Sequence, residues 1–222
     1  MQNLSSYHLP MCSNYETVKD PKRIAEVFDV MVPPEVRDHV WPGYESIFIR
    51  RPREADAGDA AVPKREVLVG LFGMVPHWAA DIKGTRFTYN ARTETVAEKP
   101  SFKDAWSRGR HCIIPAEAIY EPDWRTGKAI ATRIFRADGQ PMGIAGLWTG
   151  WKAPDGSVVR IFTMLTINAA EHSLMQNFHK PKDEKRMVVI LQEDAYGAWL
   201  QAPAEDSMDF MRMYTGELLT QP

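Results

Sequence analysis

Short runs of branched and aromatic residues, separated by turn-forming residues, dominate the chain from residue 65 onward. Such runs are typical of strands. We therefore predict strands over residues 65–76, 111–121, 129–137, 142–151, 158–167 and 187–191. Asp-Gly pairs in the segments RADGQ and APDGS, which follow the third and fourth of these strands, predict hairpin turns.

Other segments place apolar residues at the spacing of a helix. After Asp20, the residues Ile24, Val27, Phe28 and Met31 follow that spacing. Further helices are predicted over residues 100–109, 168–179, 193–200 and 205–214.

Hairpins that alternate with isolated helices favour an α+β fold around a largely antiparallel, barrel-like sheet. The chain has 222 residues, enough for one sizeable core, and we expect a single domain over 1–222. Residues 51–64 are polar and rich in Ala, Gly and Pro. They are predicted to form a surface loop rather than a linker, because the chain before them is too short to fold alone.

Composition excludes several classes of protein. No run of about 18 apolar residues exists, so we expect no transmembrane helix. The first ten residues lack the basic and apolar regions of a secretory signal. The two cysteines, Cys12 and Cys112, are too few for a disulfide scaffold and favour a reducing, cytoplasmic location. The chain has no CxxC, HExxH or glycine-rich phosphate motif, so neither a metal nor another cofactor is expected.

Charge is distributed unevenly. The formal net charge of −2 does not indicate a nucleic-acid-binding protein, but residues 83–110 hold seven basic and three acidic residues. A basic stripe of this kind can bind phosphates although the whole protein is acidic. Within it we regard Lys83, Arg86 and Lys99 as candidate phosphate contacts; the alternative is a solvated helix face.

A Met-Cys pair, Met11 and Cys12, lies ten residues after Met1. A lone cysteine is more often inert than reactive. An N-terminal cysteine differs, because its α-amine and its thiol together condense with an aldehyde: the amine forms a Schiff base and the thiol closes a five-membered thiazolidine. An α-amine has a pKa near 8, so a useful fraction is unprotonated at neutral pH.

Glu121 is the last residue of an apolar predicted strand. Partial desolvation there raises a carboxyl pKa, which suits a general acid or base. Glu117 has the same alternation parity and is expected on the same face. The alternative is a solvated carboxylate at a strand end.

His179 closes the predicted helix over 168–179, in which Asn168 and Glu171 have the spacing of a capping box. The negative end of a helix dipole favours the imidazolium form, which would help His179 to donate a proton. The alternative is a merely favourable C-terminal charge.

Three further features are candidates for contacts with DNA. Asn90 can orient an amine or a sugar oxygen through its amide, and Arg92 can bind a phosphate with two hydrogen bonds. Trp78, beside Pro76, can stack on a nucleobase if it is exposed. Turn chemistry, a surface charge and a core tryptophan are the respective alternatives.

Taken in order, these residues resemble the SOS-response-associated peptidase (SRAP) family, which shields abasic sites in single-stranded DNA. The resemblance runs from Met11 to about Leu191. It is carried by Met11-Cys12, then by the segments GMVPHWA, NARTETVAEKPSF, CIIPAEAIYE and TINAA, and finally by FH with RMVVIL behind it.

The resemblance implies an SRAP-like fold and a role for each candidate. Cys12, as an exposed N-terminus, would crosslink to the ring-opened sugar of an abasic site in single-stranded DNA. Asn90 would position the amine and the sugar, Glu121 would act as acid and base, and His179 would assist proton transfer. Arg92, Pro76 and Trp78 would hold the DNA backbone and flanking bases. On this chemistry residues 1–11 are expected to be a removable leader or a misassigned start.

The chain departs from the family pattern at three places. Ser13-Asn14-Tyr15 stand where the family usually has Gly-Arg-Phe, which removes an expected phosphate contact. Pro122 and Asp123 displace Trp124 from its usual position, and six residues, KPKDEK, separate His179 from Arg186 where the family has one or two.

Two other classes of function remain open at this point. A thiol peptidase would pair Cys12 with His179, with Asn90 or Glu121 orienting the histidine, and would remove its own N-terminal segment. A non-catalytic DNA-binding module would keep the fold without the chemistry.

Overall fold

The computed structural model describes residues 14–31, 35–57 and 61–222. Its strands are β1 (Asn14–Thr17), β2 (His39–Val40), β3 (Glu45–Arg50), β4 (Glu66–Phe72), β5 (Asn90–Arg92), β6 (His111–Asp123), β7 (Ile130–Arg136), β8 (Met142–Lys152), β9 (Val158–Asn168), β10 (Arg186–Val188), β11 (Ile190–Leu191) and β12 (Leu218–Gln221). The α-helices are α1 (Pro21–Phe28), α2 (Lys103–Ser107) and α3 (Tyr196–Gln201).

Five strands close into a barrel. Strand β8 pairs with β9, β9 with β4, β4 with β3, β3 with β6, and β6 returns to β8. Most of these pairings are antiparallel, while β4 and β5 each run parallel to β9. The prediction of an α+β fold with a largely antiparallel, barrel-like sheet is therefore confirmed.

Aromatic side chains pack together in the buried core. Phe72 contacts Phe162 with ring centroids 5.4 Å apart, and Tyr15 meets the other edge of Phe72 at 5.3 Å. All three side chains are fully buried. Gly146 lets β6 and β8 approach closely, because a Cβ there would lie 2.3 Å from Ile114 Cδ1. Strand β6 has 13 residues, and because of this length its two ends lie in distant parts of the molecule.

The clearest sequence patterns give the observed elements. All six predicted strands are present, and Asp20 caps α1 by accepting a hydrogen bond from the Lys22 backbone N–H at 2.9 Å. The APDGS hairpin joins the paired strands β8 and β9. Residues 51–64 connect β3 to β4, and their described part includes a 3₁₀ turn over Arg53–Ala57. Among the described residues, every helix is too short or too polar to cross a membrane.

The helix predicted over 168–179 is wrong. Asn168 ends β9, and its side-chain oxygen accepts a hydrogen bond from the Ala170 backbone N–H at 2.9 Å, which makes a turn. The Ala169 N–H bonds the Lys185 carbonyl at 2.8 Å, so the backbone is held by a distant segment. Only Met175–Asn177 form one 3₁₀ turn.

Two other expectations also fail. RADGQ is not a hairpin turn, because β7 pairs with β6 and β12 whereas β8 pairs with β6 and β9. The helix predicted over 205–214 is a 3₁₀ helix over Ala204–Phe210. The short strands β1, β2, β3, β5 and β12 were not predicted by the pattern.

Candidate functional site

Glu121 and His179 meet at the C-terminal end of β6. Both side chains are buried, with 1% and 4% of their surface exposed, and His179 Nε2 lies 3.7 Å from Glu121 Oε2. Glu121 stands opposite Thr132 of β7, two residues before β6 ends. A buried carboxylate beside an imidazole is an arrangement that can move a proton.

His179 adopts an unusual backbone conformation. Its φ of 63° lies in the left-handed region, which residues other than glycine seldom adopt. Two contacts hold it there: its N–H donates to the Pro122 carbonyl at 3.0 Å, and Phe178 forms a β-bridge with Asp123. Strain of this kind persists where the surroundings fix the conformation, and it clusters at functional sites.

Burial lowers the pKa of His179 below its ordinary value, which favours the neutral imidazole. Its Nε2 lies 3.3 Å from the Arg186 carbonyl oxygen. A carbonyl only accepts, so this contact favours the tautomer with the hydrogen on Nε2 and the lone pair on Nδ1. The predicted imidazolium is therefore wrong: no helix ends at His179, and burial replaces the dipole as the dominant influence.

Arg186 anchors this region and was not identified in the sequence as a site residue. Its side chain is 1% exposed, and its guanidinium binds Glu94 at 2.7 Å, Glu184 at 2.8 Å and the Thr166 carbonyl at 2.7 Å. Arg186 and Glu94 are 92 positions apart, so no local pattern indicates the pair. Because the Arg186 carbonyl faces His179, this network positions the imidazole.

Strand β5 places Asn90 and Arg92 beside the end of β9. Asn90 is half-buried opposite Met164, and Arg92 is opposite Thr166. About half of the Arg92 side-chain surface is exposed, and its guanidinium forms an ion pair with Glu184 at 2.8 Å. Glu184 thus joins Arg92 to Arg186. The structure therefore connects Arg92 to the surroundings of His179 through one carboxylate.

Glu117 does not share the face of Glu121. The pairing of β1 with β6 shifts between Glu16 and Thr17, whose partners are Ala118 and Ala116, so Glu117 is the additional residue of a β-bulge. Its carboxylate binds Arg23 of α1 at 2.9 Å. The bulge reverses the simple alternation, so the prediction of a shared face is wrong.

The candidate DNA contacts before β5 lie on one loop, residues 73–88. Thr88 Oγ1 bonds Met74 at the base of the loop, where Gly73 has a φ of 119° and a Cβ would lie 2.0 Å from the Thr85 carbonyl oxygen. Trp78 is 68% exposed on this loop, so its alternative as a core residue is wrong. Pro76 is half-buried, and Lys83 and Arg86 are exposed.

Exposed aromatic residues on this loop and beside it were missed by the sequence reasoning. Phe87 is 86% exposed, and Trp41 and Tyr44 are about half exposed. Gly43, between the last two, approaches the Arg86 side chain. Solvent exposure could not be read from the sequence, because the same residue types fill the core. Lys99 is exposed separately, in the turns between β5 and α2.

The segment 180–185, which follows His179, contacts the displaced Trp124. The Lys180 ammonium lies 5.3 Å from the centre of the Trp124 ring. Lys185 donates to the carbonyls of Phe178, His179 and Lys180 at 2.8–3.2 Å, which fixes the turn that carries His179. Lys185 therefore holds the segment 180–185 against the turn that carries His179.

Cys12 and Met11 lie outside the described residues. The described chain begins at Asn14, which is paired with Tyr120, the neighbour of Glu121. Within the described ranges, no three His, Cys, Asp or Glu side chains form a group that could hold a metal.

Comparison with known proteins identifies one family over nearly the whole chain. The family model for SOS response associated peptidase (SRAP) matches residues 11–221. "Abasic site processing protein YoqW" of Bacillus subtilis (strain 168) is 34% identical over 144 residues, which are 64% of this chain and 59% of that protein. "Abasic site processing protein HMCES" of Mus musculus is 24% identical over 178 residues, 67% of this chain and 47% of the mouse protein. The chain thus matches only about half to three-fifths of these relatives.

Two solved structures have the same architecture. A crystal structure of a protein from Bordetella bronchiseptica is 45% identical, with a TM-score of 0.84 over 94% of this chain and 98% of that one. A second, from Bacteroides thetaiotaomicron, is 22% identical with a TM-score of 0.72 over 94% of this chain and 90% of its own, and shows the fold alone.

Proposed function

The chain belongs to the SOS response associated peptidase (SRAP) family, and from this premise we propose that it processes abasic sites by bonding Cys12 to the opened sugar in single-stranded DNA. The observation that carries the proposal is the buried Glu121–His179 pair at the end of β6. Strand β1 brings Asn14 opposite Tyr120 at this point. Two residues of chain span at most about 7 Å, so this register is compatible with Cys12 acting here. The names of the relatives YoqW and HMCES support the choice of lesion.

The covalent step needs no external oxidant or reductant. The α-amine of Cys12 attacks the C1′ aldehyde of the opened sugar, and loss of one water gives an imine. The thiol sulfur then adds to the imine carbon while its proton goes to the nitrogen, which closes the thiazolidine. The net change is one C–N bond, one C–S bond and one released water.

Three residues transfer protons or orient polar groups in this reaction. Glu121 transfers the proton between the sugar hydroxyl and the ring oxygen as the sugar opens. His179, neutral and protonated on Nε2, accepts a proton on Nδ1 and returns it when water leaves; it does not begin as an imidazolium. Asn90 orients the amine and the sugar oxygen through its amide.

The exposed groups hold the DNA. Arg92 binds a phosphate next to the opened sugar, and Pro76 and Trp78 contact the flanking bases. Lys83, Arg86 and Lys99 contribute charge along the backbone, in keeping with their exposed positions.

Intact-mass measurement tests the proposal. Protein that begins at Cys12 is incubated with abasic single-stranded DNA, and we expect a species with the mass of protein plus DNA minus one water. Cys12→Ala should form none. The full chain should also form none while Cys12 is in amide linkage, because its nitrogen is then not an amine.

The same measurement distinguishes a peptidase. A histidine oriented by Glu121 also suits a thiol peptidase with Cys12 as nucleophile. That function would give loss of residues 1–11 from the full chain and no adduct with DNA. A Cys12→Ala protein that crosslinks as well as the unmodified one would exclude the thiazolidine.

A further inference from the structure

A second concave surface lies at the opposite end of β6 from Glu121. It is a cleft of about 380 Å³ between the end of β3, the start of β6 and the middle of β8. Four arginines, Arg50, Arg51, Arg53 and Arg110, line it together with Trp148, and no carboxylate is among its lining residues. His111 and Glu121 are ten residues apart on β6, so the cleft lies up to roughly 33 Å from the abasic-site chemistry, at about 3.3 Å per residue.

Trp148 organises these arginines. The Arg50 guanidinium carbon lies 4.2 Å from the centre of the Trp148 ring, and those of Arg53 and Arg110 lie 5.8 Å and 5.9 Å from it. Arginine stacks favourably on tryptophan, so the ring holds three like charges close together. Such a concentration of positive charge carries a cost in repulsion that a bound anion removes.

Arg50 provides the buried donor of the cleft. It is 8% exposed, and its Nε and Nη2 bind Glu66 at 2.7 Å and 2.6 Å. Its Nη1 is buried and has no hydrogen-bond partner in the part of the chain that the structure describes. A buried donor without a partner is costly, and a ligand oxygen would satisfy it.

Arg110 is repelled by the neighbouring positive charges. Its guanidinium forms a hydrogen bond with Thr149 Oγ1. Burial lowers its pKa, and repulsion from Arg108, Arg53 and Arg50 lowers it further, against the opposing effect of Asp104. The free energy of this repulsion would be recovered on binding an anion.

We propose that this cleft is a phosphate-binding site separate from the abasic-site machinery. Arginine forks match the oxygens of a phosphate with paired hydrogen bonds. The phosphate comes either from a free phosphate compound or from the backbone of a bound DNA strand, and the two sources share this chemistry. The proposal does not depend on Cys12, so the result of its test is independent of the crosslinking reaction.

The test uses the full chain and inorganic phosphate. Thermal unfolding is followed as phosphate replaces chloride at constant ionic strength, and the dissociation constant is obtained from the rise in melting temperature. We expect Arg53→Gln to weaken phosphate binding about tenfold or more, because one charge-assisted contact is lost. Arg53 is exposed, so folding should be retained. Arg212→Gln, an exposed arginine outside the cleft, should bind as the unmodified chain does.

A second arm identifies the source of the phosphate. Binding of undamaged single-stranded DNA is measured over a range of salt concentrations for the same proteins. A decrease of about 0.7 in the salt slope for Arg53→Gln indicates a backbone phosphate. Loss of inorganic phosphate binding with an unchanged slope indicates a free phosphate compound. If phosphate affects the unmodified chain and Arg53→Gln equally, and the slopes agree, the proposal is wrong.

Discussion

A histidine is buried at each end of β6, but the two imidazoles contact different residues. His111, 3% exposed, stacks on Trp199 at 3.8 Å between ring centres and bonds the Ser207 hydroxyl at 2.8 Å. His179, 4% exposed, faces the carboxylate of Glu121. Burial lowers the pKa of both imidazoles. Burial alone therefore does not mark chemistry; the residue that the imidazole faces decides whether a proton can be exchanged.

The arginines at the two ends differ in the same way. At the Glu121 end, Arg92 and Arg186 are bound to Glu184 and Glu94. At the His111 end, four arginines line a cleft whose wall has no carboxylate. At the first end both arginines are bound to carboxylates, whereas at the second Arg50 binds Glu66 and still leaves its Nη1 without a partner among the described residues. Single substitutions at each end should test this difference.

The largest effect is expected from Glu121→Gln, which keeps the shape of the side chain but cannot transfer a proton. Crosslinking of abasic DNA by protein beginning at Cys12 should slow about 10²–10⁴-fold, the usual contribution of one positioned acid or base. His179→Ala should slow it less. DNA affinity should barely change, and a time course beside an equilibrium titration measures both quantities.

Glu117→Gln is the matched control for Glu121→Gln. It makes the same chemical change on the same strand, but Glu117 faces Arg23 across the bulge. Its crosslinking rate should equal that of the unmodified protein. Equal rates for Glu121→Gln and Glu117→Gln would show that Glu121 has no part in proton transfer.

The next effect concerns stability at the His111 end. Burial lowers the pKa of His111 from 6.5 to about 4, so as pH falls the unfolded chain takes up this proton first. The associated stability is present above about pH 6.5 and is lost as pH falls towards 4, amounting to about 3 kcal/mol. His111→Gln should flatten the dependence of the unfolding free energy on pH in this window. An unchanged dependence would mean that another group governs it, and exposed His39→Gln is the control.

A smaller effect is expected from Arg92→Ala. Loss of one phosphate contact should lower the slope of log affinity against log salt for single-stranded DNA by about 0.7. Exposed Arg212→Ala makes the same charge change and should leave the slope as it is. A slope that does not respond to Arg92→Ala would place Arg92 away from the phosphates.

The smallest effect is expected from Glu184→Gln. This change releases Arg92 from a half-exposed ion pair, and such pairs contribute about 0.2–1 kcal/mol. DNA affinity should therefore rise about 1.4- to fivefold. Asp183→Asn, an equal charge change in the same loop, should have no comparable effect. Weaker binding by Glu184→Gln would mean that Glu184 positions Arg92 instead of competing for it.

The sequence predicted what local periodicity determines. The apolar runs around β4, β6, β8 and β9 gave four of the five barrel strands, because each of these strands buries its own residues, whereas β3 was missed. The helix expected after Asn168 failed, since Ala169 bonds Lys185 and the apolar residues reach the core through turns. RADGQ failed because β7 takes β12 as its partner instead of β8.

The site was found in part for the same reason. Glu121 and His179 were identifiable, but the protonation of His179 depends on contacts with Pro122 and Arg186 that sequence does not reveal. The Arg186–Glu94 pair joins residues 92 positions apart, and the bulge at Glu117 depends on the register of β1. These features are set by tertiary packing, which local patterns do not determine.

The central claim is that the abasic sugar is bonded at the Glu121 end of β6, by Cys12 and by no other amine. Lysine amines stand nearby, and that of Lys185 donates hydrogen bonds to three backbone carbonyls. The most direct test is to digest the adduct of Cys12-initiated protein with abasic single-stranded DNA and locate the sugar by peptide mass spectrometry. We expect the sugar on the N-terminal peptide, joined to both the amine and the sulfur of Cys12. A sugar joined to Lys185 or to any other lysine would contradict the account.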